Sequence, residues 1–134
     1  MKQPNIIMIL TDEHNGKVVH SNGDPWVRTP NMDRLAENGV LMEHAYCNSP
    51  LCVPSRCSML TGLMPHTGGI FNNAQCLPSD RATFVHCLGA AGYETVLSGR
   101  MHFVGPDQRH GYEKRLVGDI TTAVLGVSFA EKRY

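Results

Sequence analysis

The chain has 134 residues, of which 42% are hydrophobic and 18% charged, a composition typical of one small globular domain. Twelve basic residues balance twelve acidic ones, so there is no basic excess of the kind that binds nucleic acid or an anionic membrane surface. The first apolar run, Ile6 to Leu10, is too short for a secretory signal or a membrane span. Because five cysteines cannot all pair within one chain, we expect a cytoplasmic protein with reduced thiols.

The first 46 residues predict a strand, a helix and a second strand. The continuous apolar run Asn5–Leu10 is typical of a strand buried on both faces of a parallel sheet. Thr29 is placed to cap a helix that has Pro30 in its first turn, and Gly39 is placed to end that helix in the left-handed conformation. The segment Val40–Tyr46 predicts the second strand.

The next segments predict two further helices and a third strand. A helix over Pro54–Leu63 would end near Gly62, and another would cover Arg81–Ala91. A strand over Tyr93–Leu97 follows. The apolar face of the second of these helices consists of Phe84, Val85, Leu88 and Ala91.

Strands that alternate with helices predict an α/β fold, a doubly wound and mainly parallel sheet with helices on both faces. In such folds ligands bind at the carboxyl ends of the strands. Three polar clusters are expected at these ends: residues 12–14, the segment around Cys52, and residues 100–102.

Three motifs carry most of the functional information. Residues 52–56 read Cys-Val-Pro-Ser-Arg and are followed by Leu-Thr-Gly at 60–62. Residues 92–102 read Gly-Tyr-Glu-Thr-Val-Leu-Ser-Gly-Arg-Met-His. Residues 4–12 form an apolar run that opens with Pro-Asn and closes with Thr-Asp.

These motifs, in this order, resemble the type I sulfatases of the alkaline phosphatase superfamily, whose motif cysteine is oxidised to formylglycine. Residues 102–108 resemble the choline-sulfatase-like branch. The resemblance implies that residues 1–119 are the amino-terminal part of a sulfatase catalytic domain, and that residues 120–134 are a divergent tail. Because relatives of this family are several times longer, we expect the chain alone to be poorly stable and to have little or no activity.

The resemblance also assigns the catalytic residues. Cys52 is the expected formylglycine nucleophile, and Arg56 lies one helical turn further on, where it could hold the hydrated aldehyde. Arg100 replaces the usual lysine of the second motif and could bind sulfate with its planar fork. His102 is expected to hydrogen-bond the hydrated aldehyde and to act as a base.

The implied metal ligands are Asp12, Glu13 and the oxidised Cys52. Glu13 stands where the family usually has a second aspartate, so its longer side chain would place the oxygens differently. The expected ion is Ca²⁺, with Mg²⁺ or Mn²⁺ as alternatives, because carboxylates suit hard divalent cations. A zinc site that includes Cys47, Cys52 and Cys57 is an alternative, although these cysteines lack a Cys-x-x-Cys pair.

The resulting functional hypothesis is a sulfuric ester hydrolase that takes a small sulfate ester and depends on a formylglycine-generating maturation enzyme, with no nucleic acid or membrane partner. Two alternatives stay open. Relatives with the same cysteine motif act on phosphonate or phosphate monoesters. A truncated chain could also be non-catalytic and bind only an anion or a metal.

Overall fold

The computed structural model describes residues 3–119. These residues divide into two compact units with the boundary between Ala45 and Tyr46. The predicted tail, residues 120–134, lies outside the described residues, so its divergence from the family stays a prediction. None of the helices in the described part of the chain has both the length and the apolarity needed to cross a lipid bilayer.

The first unit contains a 3-10 helix, His20–Asn22, and helix α1, Pro30–Asn38. Helix α1 begins with proline as predicted, but the Thr29 side chain does not cap its backbone. Its hydroxyl accepts a hydrogen bond from the His20 N–H at 3.0 Å and donates to the Asp33 carboxylate at 3.0 Å. Thr29 therefore ties the 3-10 helix to α1.

The prediction that Gly39 adopts the left-handed conformation is wrong. Its φ is −138°, and its N–H reaches the Ala36 carbonyl at 3.4 Å, so the last turn tightens instead of reversing. A glycine is still required at this position for space, because a Cβ there would lie 2.9 Å from the Leu35 carbonyl oxygen.

The strands predicted over residues 5–10 and 40–46 are also wrong: neither segment is a strand in the described structure. Their apolar side chains are exposed, for example Ile7 at 84% and Val40 at 78%. Among residues 3–45, Val19 is the one buried side chain. An apolar run can form a buried strand only when a neighbouring strand accepts its hydrogen bonds and a layer covers its faces, and the described part of this unit provides neither.

The second unit begins with three helices, α2 (Cys52–Thr61), α3 (Pro65–Gly68) and α4 (Phe84–Ala90). Strands β1 (Val96–Ser98) and β2 (Lys114–Val117) follow and pair in parallel. The parallel pair confirms the α/β class, although the sheet of the described residues has two strands where a larger one was predicted.

Two helix boundaries differ from the sequence prediction. Helix α2 starts at Cys52, two residues earlier than predicted, and stops as predicted where Gly62 adopts φ 72°. Helix α4 starts at Phe84 because Thr83 and His86 form a capping box there. Of the predicted apolar face of this helix, Val85 is buried, Leu88 is half-buried, and Phe84 and Ala91 are exposed.

The core of the second unit joins α2, α4, β1 and the loop after β1. Val53, Leu60 and Val85 are each 1% exposed. The other buried members are Cys57, Ile70, Leu77, Leu97, Met101 and Phe103. Because Met101 and Phe103 come from the loop after β1, that loop is anchored in the same core as α2.

Replacing Leu60 with alanine should lower the free energy of unfolding by about 2–5 kcal/mol, because a fully buried leucine leaves a cavity that the core refills only in part. Urea unfolding followed by circular dichroism measures this change. The matched control is Leu116→Ala in β2, where the side chain is 68% exposed and a change within about 0.5 kcal/mol is expected. Equal losses in the two variants would contradict this core.

Candidate active site

Cys52 is the first residue of α2 and is half-buried. The N–H groups of this first turn are already partly used: Val53 donates to the Asn73 side chain and Ser55 to the Leu51 carbonyl, both at 3.0 Å. Pro54 has no N–H to offer. The helix dipole still favours an anion at this end, but few backbone donors remain for a bound sulfate.

The loop after β1 supplies the charged side chains. Met101 and Phe103 point into the core with 6% and 8% exposure, whereas the alternate residues Arg100 and His102 are half-buried. The left-handed backbone of His102, with a φ of 54°, interrupts the extended chain here. The two polar side chains of the second motif lie together outside the core, 3.1 Å apart.

The Arg100 guanidinium connects the two motifs. Its Nη2 lies 3.9 Å from the Cys52 sulfur and 3.1 Å from Nδ1 of His102. Because a guanidinium only donates hydrogen bonds, Nδ1 of His102 must be the acceptor in this contact. The imidazole is therefore the tautomer that carries its proton on Nε2.

Arg56 lies one turn after Cys52 in α2 and makes a contact that the motif does not indicate. Its residue is 7% exposed, and its Nη1 donates to the backbone carbonyl of Arg100 at 3.0 Å. In this structure Arg56 holds the loop that carries Arg100. The contact links α2 to the second motif through the main chain.

Asp119 makes a second contact with the backbone of this loop. Its Oδ1 accepts hydrogen bonds from the N–H groups of Met101 at 2.8 Å and His102 at 3.1 Å. His102 has a φ of 54°, a left-handed conformation that costs a non-glycine residue about 1 kcal/mol. Sequence reasoning missed Asp119, because nothing local relates an aspartate to a backbone 17 residues earlier.

The predicted metal ligands Asp12 and Glu13 belong to the first unit, in an exposed bend where Glu13 has a φ of 56°. Cys52, Arg56, Arg100 and His102 belong to the second unit. Within residues 3–119, no group of three or more His, Cys, Asp or Glu side chains is arranged to hold a metal ion. The zinc alternative around Cys47, Cys52 and Cys57 therefore finds no support in the described structure.

The thiols of the second unit differ in their electrostatics. A hydrogen bond with the Ser55 hydroxyl, at 2.9 Å, together with a backbone hydrogen bond of Ser49, lowers the pKa of the exposed Cys47 thiol. Burial raises the pKa of the Cys57 thiol to about 11. All five cysteines are free. Cys47 is thus activated by a residue of the first motif, a property the motif itself does not indicate.

Comparison with known proteins gives this arrangement a family. The Sulfatase family model matches residues 4–128. The choline-sulfatase of Rhizobium meliloti (strain 1021) is 42% identical over 124 residues, which are 92% of this chain and 24% of the relative. The N-acetylglucosamine-6-O-sulfatase of Bacteroides thetaiotaomicron is 37% identical over 80% of this chain and 19% of the relative.

Solved structures agree. The structure of BT4656 in complex with its substrate, D-glucosamine-2-N,6-O-disulfate, matches with a TM-score of 0.79 and 36% identity over 85% of this chain and 23% of that one. The phosphonate monoester hydrolase of Agrobacterium radiobacter matches with a TM-score of 0.77 and 24% identity over 90% of this chain and 26% of that one, which shows a shared fold.

The fold and the two adjoining motifs define a parallel α/β protein with the sequence signatures of one family. The chain belongs to the sulfatase family. It spans about a quarter or less of the length of these curated relatives.

Replacing Ser55 with alanine should slow the alkylation of Cys47 by iodoacetamide near neutral pH. The thiolate is the reactive form, and losing the hydrogen bond from Ser55 moves the pKa of Cys47 back up, so the rate profile shifts to higher pH. Peptide mass spectrometry of a labelling time course measures the rate at each cysteine.

Ser58→Ala is the matched control, since Ser58 is a buried serine three residues further along the same helix. It should leave the Cys47 profile in place. In both variants and in the parent chain, Cys57 should react last below pH 9 because its pKa is about 11. An unshifted Cys47 profile in Ser55→Ala would show that the hydrogen bond does not activate the thiol.

Proposed function

We propose that this chain carries the nucleophile-bearing part of a sulfuric ester hydrolase, with Cys52 as the residue oxidised to formylglycine. One observation supports this above the others. The guanidinium of Arg100 lies within reach of both the Cys52 sulfur and the His102 imidazole, at 3.9 and 3.1 Å. A cation beside the nucleophile is what an anionic ester requires, because it offsets the repulsion between the ester and an attacking oxygen.

Each residue then has a definite task. Formylglycine, once formed and hydrated, supplies an oxygen nucleophile and a second hydroxyl that allows sulfate to be released. Arg100 binds the sulfate oxygens with its planar fork. Arg56 keeps Arg100 in place through the carbonyl contact at 3.0 Å.

His102 acts first as a hydrogen-bond donor. Because its Nδ1 accepts from Arg100, its proton sits on Nε2 and can be donated to an oxygen on residue 52. A role as base needs a lone pair, and the lone pair faces Arg100 in this structure. When sulfate takes this N–H of Arg100, Nδ1 can take up a proton from solvent and Nε2 can release its own, so that Nε2 gains the lone pair needed for the base role only after substrate has bound.

A divalent metal, expected to be Ca²⁺, would polarise the sulfate oxygens as a Lewis acid when bound. Asp12, Glu13 and oxidised Cys52 are its proposed ligands in this chain, and carboxylate oxygens suit such an ion. Within residues 3–119, no group of three or more His, Cys, Asp or Glu side chains is arranged to hold it.

The proposed substrate class is a small sulfate monoester, and the proposed partner is a formylglycine-generating enzyme. The relatives are named for different esters, among them choline sulfate in one case and N-acetylglucosamine 6-O-sulfate in another, so the shared chemistry is the sulfate group. A cytoplasmic location remains our proposal, and the five free thiols support it.

Of the alternatives, phosphonate hydrolysis is supported only at the level of fold, since that structural relative is 24% identical. The non-catalytic alternative is a direct outcome of the experiment that follows.

Coexpression of the chain with a formylglycine-generating enzyme should convert Cys52 and leave Cys47 and Cys57 as thiols. Mass spectrometry of the tryptic peptides would show the mass decrease that accompanies replacement of the CH₂–SH side chain by an aldehyde, and an aldehyde-reactive hydrazide would label the same peptide. The Cys52→Ala variant should not be labelled, whereas the matched variant Cys87→Ala should be labelled like the parent.

The chain by itself, even after conversion of Cys52, should show little or no turnover, and any residual turnover should favour an aryl sulfate over the matched aryl phosphonate. An unconverted Cys52, in cells where another sulfatase is converted, would favour the non-catalytic alternative. A preference for the phosphonate would favour the other enzyme class.

A further inference from the structure

Asp119 binds two successive backbone N–H groups with one oxygen. The N–H groups of Met101 and His102 point at Oδ1 from 2.8 and 3.1 Å. Consecutive N–H groups that converge in this way form a concave site for an anionic oxygen. Here the Asp119 side chain, from the same unit, fills that site at the backbone of Met101 and His102.

The carboxylate is itself fixed from its other side. Its Oδ2 accepts a hydrogen bond from Nη2 of Arg115 at 3.0 Å, and both side chains are 5% exposed. Nη1 of Arg115 donates to the backbone and side-chain oxygens of Gln108, at 2.9 and 2.8 Å. Arg115 is thus held by Gln108 through one nitrogen and holds the carboxylate through the other, which restricts the position of Oδ1.

This arrangement explains the left-handed backbone of His102. The φ angle is the rotation about the bond from the His102 nitrogen to its Cα, and Asp119 holds the nitrogen end. The other end is held by Phe103, which is 8% exposed and whose carbonyl accepts from Gln108 Nε2 at 2.9 Å. With both ends fixed, φ stays at 54° despite its cost.

We infer that Asp119 is a positioning residue of the site: held by Arg115, it sets the backbone at Met101 and His102 and so aims the His102 imidazole at Arg100 beside Cys52. The role of Asp119 in a catalytic site rests on the proposed sulfatase function, whereas its hydrogen bonds to the loop do not. Without the carboxylate, residue 102 relaxes from the left-handed region and the contact between Arg100 and Nδ1 of His102 is lost. Arg100 then no longer dictates the tautomer of the imidazole.

The test uses nuclear magnetic resonance of the full chain and needs neither formylglycine nor turnover. In Asp119→Ala, the amide protons of Met101 and His102 should exchange with solvent about tenfold faster, as expected for loss of a hydrogen bond to a charged group. The ring nitrogens of His102 should change from the single Nε2–H tautomer to a mixture. A purely structural role would change exchange across the core without changing the tautomer.

Glu94→Gln is the matched control, because it removes a carboxylate from an exposed ion pair with Lys114, at the start of β2. It should change neither the two amides nor the His102 ring. Asp119→Glu separates two roles: it keeps a charge for Arg115 while the extra methylene moves the oxygen away from the amides, so it should reproduce both changes in a folded chain. If both amides and the tautomer in Asp119→Ala or Asp119→Glu match the control, the inference is overturned.

If neither variant folds, the unmodified chain decides the matter. Scalar couplings across the hydrogen bonds should link the amide nitrogens of Met101 and His102 to the carboxylate carbon of Asp119, and their absence would overturn the inference. Failure of the positioning role of Asp119 can be distinguished from failure of the proposed function. An unconverted Cys52 would leave the couplings and the tautomer in place, whereas missing couplings would leave the conversion of Cys52 unaffected.

Discussion

The position of Arg100 depends on hydrogen bonds to the backbone of its loop. Arg56 donates to the Arg100 carbonyl from α2 at 3.0 Å, and Asp119 accepts from the next two N–H groups at 2.8 and 3.1 Å. Hydrogen bonds to charged groups contribute about 1.5–3 kcal/mol each, which together exceeds the cost of the left-handed residue they enclose. These hydrogen bonds favour the observed loop conformation without a ligand, and a site that is held in place beforehand loses less entropy when it binds one.

The substitution of arginine for lysine in the second motif has a geometric consequence. A lysine ammonium is a single donor centre, whereas the guanidinium of Arg100 is a planar fork that reaches both the Cys52 sulfur and the His102 ring from one nitrogen. The substitution is thus compatible with the anion-binding task that the motif assigns to this position.

The helices were more predictable than the strands, for a physical reason. Pro30 and Gly62 mark helix ends through their own backbone preferences, which do not depend on neighbours. A strand depends on a partner strand. The apolar run Asn5–Leu10 indicates a tendency to be buried, but it does not indicate a strand with which to pair. Strand β2 was not predicted, because it begins with the charged residues Lys114 and Arg115. It forms because β1 lies beside it and pairs with it.

The candidate site was also predictable only in part. The motif identified Cys52, Arg100 and His102, which the structure brings together. The residues that hold them, such as Asn73 and Asp119, carry no motif, and they act over 20 and 17 residues of sequence. Such support can be recognised only from coordinates.

The two groups of predicted site residues, one around Cys52 and the other at Asp12 and Glu13, differ in how much buried apolar surface lies next to them. Cys52, Arg100 and His102 adjoin a core that includes Val53, Met101 and Phe103, each 8% exposed or less. Asp12 and Glu13 follow a run whose apolar residues are 50–84% exposed, in a unit whose one buried side chain among the described residues is Val19. Burial of apolar area is the main force that stabilises a fold. The segment that carries Cys52 is therefore stabilised by a core of its own unit, whereas the segment that leads to Asp12 and Glu13 has no such burial among the described residues.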